Sequence, residues 1–185
     1  MTTSAGTVRQ EATSPASQLV DATVWNAARR FPTGVSVVTT GSGDTAHGST
    51  VSAFFFVSHD PALVGVCLAR GGSLLPRIAR HRAYTVNVLA RDQSAVARHF
   101  ASRIKQSGPA QFRSVAWTPG ESGVPRLEGA VSWLHCRTRD FIEAGDHVIV
   151  LGAVTASAVT RDKTPLLYFA GHLHSGHIRI EEDTP

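Results

Sequence analysis

Apolar residues recur along this chain with two periods, and the switches between them mark out its elements. Residues 18–30 carry Leu19, Val20, Val24, Ala27 and Ala28 at helical spacing. Asp21 near the start and Arg29-Arg30 near the end suit the helix dipole, and Pro32 ends the helix. Short β-branched and aromatic runs follow at 35–40, 48–57, 63–68, 83–89, 130–140, 147–158 and 166–169, and these read as strands. Helical spacing returns at 73–80, through Leu74, Leu75 and Ile78, and at 92–101, through Ala95, Val96 and Phe100. Strands with helices inserted, rather than alternating one for one, predict a mainly β protein, a β-barrel with peripheral helices. The alternative, a doubly wound parallel sheet, lacks its fingerprint, since no Gly-x-Gly-x-x-Gly follows any strand. The polar stretch 105–125, which contains Pro and Gly, reads as a surface loop.

At 185 residues the chain is expected to form one domain over 18–180, preceded by a disordered tail at 1–17. That tail is rich in Thr, Ser, Ala and Gln and fits neither a secretory signal nor a membrane anchor. No run of eighteen apolar residues occurs, so a soluble, cytoplasmic protein is expected. The net charge of +4 comes from scattered Arg and Lys; without a basic stripe, nucleic acid is not an expected partner. Cys67 and Cys136 stand in apolar runs with no zinc spacing, which predicts buried free thiols and a reducing compartment.

Candidate chemistry gathers around a Ser/Thr-rich hairpin. The run from Phe31 to Thr40 is answered by Gly48-Ser-Thr-Val-Ser-Ala-Phe54 and then by Ser58-His-Asp-Pro61. Small side chains let a phosphate or a flat ring approach the backbone, and hydroxyl and N–H groups can donate to it. On a strand, Thr50 and Ser52 share one face while Ser49, Val51 and Ala53 share the other; a solvent-facing polar stripe explains the same pattern. Arg70-Gly-Gly-Ser73 opens a predicted helix, where Ser73 can act as a cap and the helix N-terminus with Arg70 can meet a phosphate. Asn87, inside a strand, must satisfy its amide through neighbouring backbone or a ligand. Gly145-Asp146-His147 reads as a turn in which Asp146 orients His147 by a hydrogen bond. His172, His174 and His177 allow metal ligation by spacing, but no acidic or thiol residue supplements them, so no metal is expected. Neither a Gly-x-Ser-x-Gly nucleophile motif nor an obvious carboxylate pair is present.

Taken in order, these pieces resemble the short flavin reductases, the reductase components of two-component flavin monooxygenases. The matching segments are Phe31-Pro-Thr-Gly-Val-Ser-Val-Val-Thr-Thr40, His47-Gly-Ser-Thr-Val-Ser-Ala-Phe54, Ser58-His-Asp-Pro61, Cys67-Leu-Ala-Arg70, Val86-Asn-Val-Leu89, Ala97-Arg-His-Phe100, Leu127-Glu-Gly-Ala130, Gly145-Asp-His147 and Pro165-Leu-Leu-Tyr-Phe-Ala-Gly171. The resemblance implies a split β-barrel homodimer that binds FMN or FAD at its subunit interface, with NADH or NADPH against the flavin and a separate monooxygenase as partner. Carried over by motif, Ser49, Thr50, Val51, Ser52, Ala53 and Phe54 would line the ring. Thr33 and Ser58 would hold the ring and ribityl chain, Arg70 and Ser73 would approach the phosphate, and Asn87 would contact or support the flavin. His147 would face the nicotinamide. His59 and Ala62 depart from the family pattern, as does His172, which would take the stacking place of a tyrosine. A non-catalytic flavin- or haem-binding carrier or sensor on the same barrel is the alternative function.

Overall fold

The computed structural model describes residues 15–102 and 108–175, with side chains from residue 22 onward. Its helices are α1 (Pro15–Ala28), α2 (Leu74–His81) and α3 (Ser94–Ala101). The strands are β1 (Thr33–Gly34), β2 (Ser36–Thr40), β3 (His47–Val51), β4 (Phe54–Ser58), β5 (Leu63–Ala69), β6 (Ala83–Val88), β7 (Trp117–Pro119), β8 (Pro125–Leu127), β9 (Ser132–Ala144), β10 (His147–Val159), β11 (Leu167–Phe169) and β12 (His172–His174). The first helix therefore begins three residues upstream of its expected start.

Seven strands form one antiparallel sheet in the order β3-β2-β6-β9-β10-β5-β4. β3 and β4 follow each other in the chain yet occupy opposite ends of that order, so the sheet curls until its two edges are joined by Ser52-Ala53 alone. The two edges do not pair with each other, and the Cys67 N–H donates to the Ala53 carbonyl at 2.9 Å across the junction. This is a split barrel, as the resemblance implies. The expected single strand at 48–57 is thus two strands on opposite edges. Its apolar alternation continues through Ser52-Ala53 without a glycine or proline to mark the crossing.

β2 is buried along its whole length because each face meets a different core. Val38 points into the barrel with Val51, Val64, Val66, Tyr84, Val86, Cys136 and Val150, where Leu74 and Ile78 of α2 also pack. Val35 and Val37 are buried outside the barrel, with Ala97 and Phe100 of α3, Phe112, Leu127 and Leu166. Phe112 is buried and Trp117 packs on it, so the described part of 105–125 is not a simple surface loop: it carries β7, the start of β8 and two 3-10 turns. Two well-placed aromatic pegs tie it down despite its polar composition.

Outside the barrel, β6 and β9 carry a buried polar network. The Asn87 amide donates to the Val37 carbonyl at 3.0 Å and accepts from the Leu127 N–H at 2.8 Å. His135 Nδ1 shares a hydrogen bond with the Thr85 hydroxyl at 2.9 Å, and its Nε2 lies 3.7 Å from Glu121 Oε2. Burial lowers the His135 pKa from its ordinary value, opposed by Glu121 and assisted by Arg137.

Candidate functional site

The Ser52-Ala53 crossing forms one wall of a cavity of about 590 Å³. Ser49, Thr50, Val51, Ser52 and Ala53 make that wall; the end of β5 contributes Cys67 to Ala69, the start of α2 contributes Gly72 to Leu75, and the β9–β10 hairpin contributes Ala144 and His147. Three groups separated widely in sequence, residues 49–53, Ser73 and His147, therefore meet in one place. A second cavity of about 490 Å³ shares Ser49, Thr50 and Ser52 and is otherwise lined by Trp25, Arg29 and Val35, by Ala97, Arg98 and Ala101 of α3, and by Tyr168 and Leu173.

β3 can serve both cavities because it is an edge strand. On its unpaired side the Gly48 N–H donates to Gln111 Oε1 at 2.9 Å, and Gln111 Nε2 donates to the Gly48 carbonyl at 3.0 Å. One amide side chain thus stands where the next strand would. Backbone groups of an edge strand alternate between its two sides, so Thr50 turns its own N–H and carbonyl to the open side. A Cβ at Gly48 would come within 2.7 Å of the Phe100 ring, which accounts for the glycine. The Thr50 hydroxyl donates to the Ala97 carbonyl at 2.7 Å, locking β3 to α3.

His147 begins β10, opposite Ala69 of β5 and Ala144 of β9. Gly145, at φ +63°, supplies the left-handed turn that presents it. The His147 Nδ1–H donates to the Asp146 carboxylate at 2.7 Å, as the turn motif predicts. A carboxylate only accepts, so in the neutral ring Nε2 is left as an acceptor, and the side chain is 43% exposed. The hydrogen bond from His147, its charge and that of Arg70 hold the Asp146 carboxyl below its ordinary value. Cys67 is half-buried and opens on the cavity rather than lying in the core. Burial and the Asp146 charge push its thiol upward, which makes it a neutral wall group.

Ser73 does not cap α2; its hydroxyl meets His47 Nε2 at 2.9 Å instead. Arg70 is also engaged elsewhere. Its Nε donates to the Gly145 carbonyl at 2.8 Å, its guanidinium pairs with Glu143, and its backbone N–H donates to the Asp146 carbonyl at 3.0 Å. Arg70 therefore staples the β9–β10 turn that carries His147, and its side chain does not line the cavity.

Five further expected residues lie outside this cavity. Phe54 packs against the barrel core. Ser58 donates to the Asp60 carbonyl at the end of β4. Thr33, paired with Tyr168 in the small β1-β11-β12 sheet, has a buried hydroxyl with no hydrogen-bond partner among the described residues. Asn87 spends its amide on the backbone of Val37 and Leu127. His172 is exposed on β12; His174 is bonded to the Phe169 carbonyl, and His177 lies outside the described residues. Among the described residues no three His, Cys, Asp or Glu side chains converge as a metal site. His47 and Gln111 were not legible as site residues, because their partners stand 26 and 63 positions away with no local motif.

A split barrel whose cavity has small residues and backbone donors on one wall and an Asp-oriented histidine on another has the layout that the resemblance implies. Residues 28–177 match the flavin reductase like domain, and the chain belongs to that family. It is 41% identical over 162 residues to an NADPH-flavin oxidoreductase of Streptomyces viridifaciens, covering 85% of this chain and 84% of the relative. It is 35% identical over 140 residues to the reductase component of 4-hydroxyphenylacetate 3-monooxygenase from Thermus thermophilus, covering 76% and 86%. The fold matches the NADH:FAD oxidoreductase of Streptomyces globisporus C-1027, solved in complex with NAD and FAD fragments, with a TM-score of 0.78 and 31% identity over 95% of this chain and all of that one. Two of these three are thus named as flavin oxidoreductases that use NADPH or NADH, and the third as the reductase component of a monooxygenase. No described helix is long and apolar enough to cross a membrane.

Proposed function

We propose that this protein is an NAD(P)H:flavin oxidoreductase that reduces FMN or FAD and supplies the reduced flavin to a separate monooxygenase. The observation that carries this reading is the meeting of residues 49–53, Ser73 and His147 around one cavity. When bound, the flavin supplies the electron-accepting chemistry and the nicotinamide the hydride. The chain's own task is alignment. The open edge of β3 offers backbone donors to the polar rim of the ring, where they stabilise negative charge. His147 Nε2 would be the acceptor for a nicotinamide carboxamide, while Asp146 and Arg70 hold that imidazole and its turn in place. No side chain is required as a strong acid or base, in keeping with a thiol at Cys67 that stays protonated.

A homodimer is part of this reading. Val24 and Trp25 on α1, Phe31, and Phe55, Phe56 and Val57 on edge strand β4 are large exposed apolar residues. Phe55, Phe56 and Val57 are consecutive on the outer strand of the sheet, the kind of apolar edge that a second copy would cover.

The test is to mix the purified protein with NADH or NADPH and FMN or FAD and follow the visible flavin absorbance. Loss of that absorbance together with nicotinamide oxidation supports the reading. Flavin binding without oxidation of either nicotinamide replaces it with the carrier or sensor role.

A further inference from the structure

His47 is 98% buried, as its 2% exposure records, and its Nε2 sits 2.9 Å from the Ser73 hydroxyl oxygen. Buried imidazoles are costly unless they satisfy a partner, and this one spends its contact on a side chain that lines the cavity. Ser73 is held a second time from below, since Arg77 Nη1 donates to its carbonyl at 2.8 Å. The serine has helical backbone angles and makes no capping bond, so its hydroxyl is directed by His47 alone among its described side-chain bonds. Arg70, the cation expected beside it, is committed to Gly145 and Glu143. Among the lining residues at the start of α2, Gly72 to Leu75, the serine is the one with a hydroxyl.

A hydroxyl carries one proton. If Ser73 donates to His47 Nε2, its lone pairs face the cavity and repel an anion. If Nε2–H donates to Ser73, the serine proton turns outward and meets one. A phosphate only accepts at neutral pH, so the two arrangements are not equivalent for a phosphorylated ligand.

Resting on the flavin reading above, we propose that His47 is a positioning residue for phosphate recognition: its Nε2–H donates to Ser73 Oγ, and the Ser73 hydroxyl in turn donates to the flavin's phosphate. The pair distinguishes FMN and FAD from riboflavin, which has no phosphate. No covalent step is involved.

Fluorescence titration of the purified protein with FMN and with riboflavin tests this. Ser73→Ala is expected to weaken FMN about tenfold or more while moving riboflavin little, as loss of a hydrogen bond to a charged group does. His47→Leu is expected to do the same, the double variant to lose no more than either single one, and His47→Gln, which keeps an amide donor, to restore FMN preference. A His47→Leu variant that weakens both flavins equally, or losses that add in the double variant, overturns the proposal. The wild-type protein gives an independent readout. Long-range ¹H–¹⁵N spectra with saturating FMN are expected to show His47 Nε2 protonated, and an unprotonated Nε2 in that complex overturns the proposal even if the His47 variants fail to fold. Wild-type protein that binds neither FMN, FAD nor riboflavin overturns the flavin reading itself, a result distinct from flavin binding without phosphate preference.

Discussion

Asp146 and His147 are neighbours in the chain and partners in space: the imidazole Nδ1–H reaches the carboxylate at 2.7 Å while the ring stays 43% exposed beside the cavity. Adjacent residues on a strand normally point to opposite faces. Gly145 breaks that rule by placing Asp146 in the turn, where it can fold back on the first residue of β10.

Replacing His147 by alanine is therefore expected to lower kcat/KM for NADH or NADPH about tenfold to a hundredfold, the loss of one well-placed hydrogen bond and ring contact. Flavin affinity is expected to stay near the wild-type value. Steady-state kinetics with a parallel flavin titration checks both halves, and unchanged turnover removes His147 from the mechanism.

The Asp146 carboxyl lies below its ordinary value of 3.8 because the hydrogen bond and charge of His147 favour its ionised form. A depressed carboxyl keeps its contact above its unfolded pKa and loses it as pH falls through the folded one. Across neutral and mildly acid solution Asp146 thus remains an acceptor. Asp146→Asn is expected to reduce kcat/KM for the nicotinamide without altering the fold, a change read by kinetics and circular dichroism.

His135 gives the opposite kind of pH effect, on stability. Burial lowers its pKa from 6.5, so the unfolded chain binds a proton that the folded chain resists. Its contribution is complete above 6.5 and is lost as pH falls from there through the folded value. Thermal melts are expected to show Tm falling as pH drops below 6.5, and His135→Gln is expected to flatten that slope.

Gln111→Ala removes both hydrogen bonds that occupy the free edge of β3 at Gly48. Stripping a partner from two backbone groups beside the cavity wall is expected to cost about 1–3 kcal/mol of stability. Flavin binding is expected to weaken with it, because Ser49 to Ala53 follow directly. Denaturant melts and a flavin titration of the same variant test the coupling.

Phe56 is 53% exposed on edge strand β4, next to Phe55 and Val57. Phe56→Glu places a charge on that face and is expected to convert the proposed dimer to monomer, as read by light scattering. A wild-type protein that is itself monomeric discards the dimer.

Much of this architecture could be read from residue patterns, because burial imposes them. The runs at 35–40, 63–68 and 83–89 sit within a residue or so of β2, β5 and β6. The Gly145 turn was legible for a local reason too, since one glycine and two polar neighbours encode it. What escaped was set by distance in the chain. Ser52-Ala53 looks like strand interior and is a crossing; Arg70 looks like a phosphate clamp and is a staple to Glu143 and Gly145; Asn87 plainly needed partners but nothing local named Val37 and Leu127. The stretch 105–125 reads as polar loop because one buried aromatic, Phe112, and a half-buried one, Trp117, are too few to leave a period.

The Ser52-Ala53 crossing carries a mechanical consequence. Three Cα steps separate Val51 from Phe54, a reach of about 11 Å at full extension, so the two rims of the barrel are laced together at that point. Any breathing of the seam must pull on the lace. Because the lace is itself cavity wall, a ligand wedged against it and a shear of the barrel rims are a single displacement, and occupancy should stiffen the whole sheet rather than one loop.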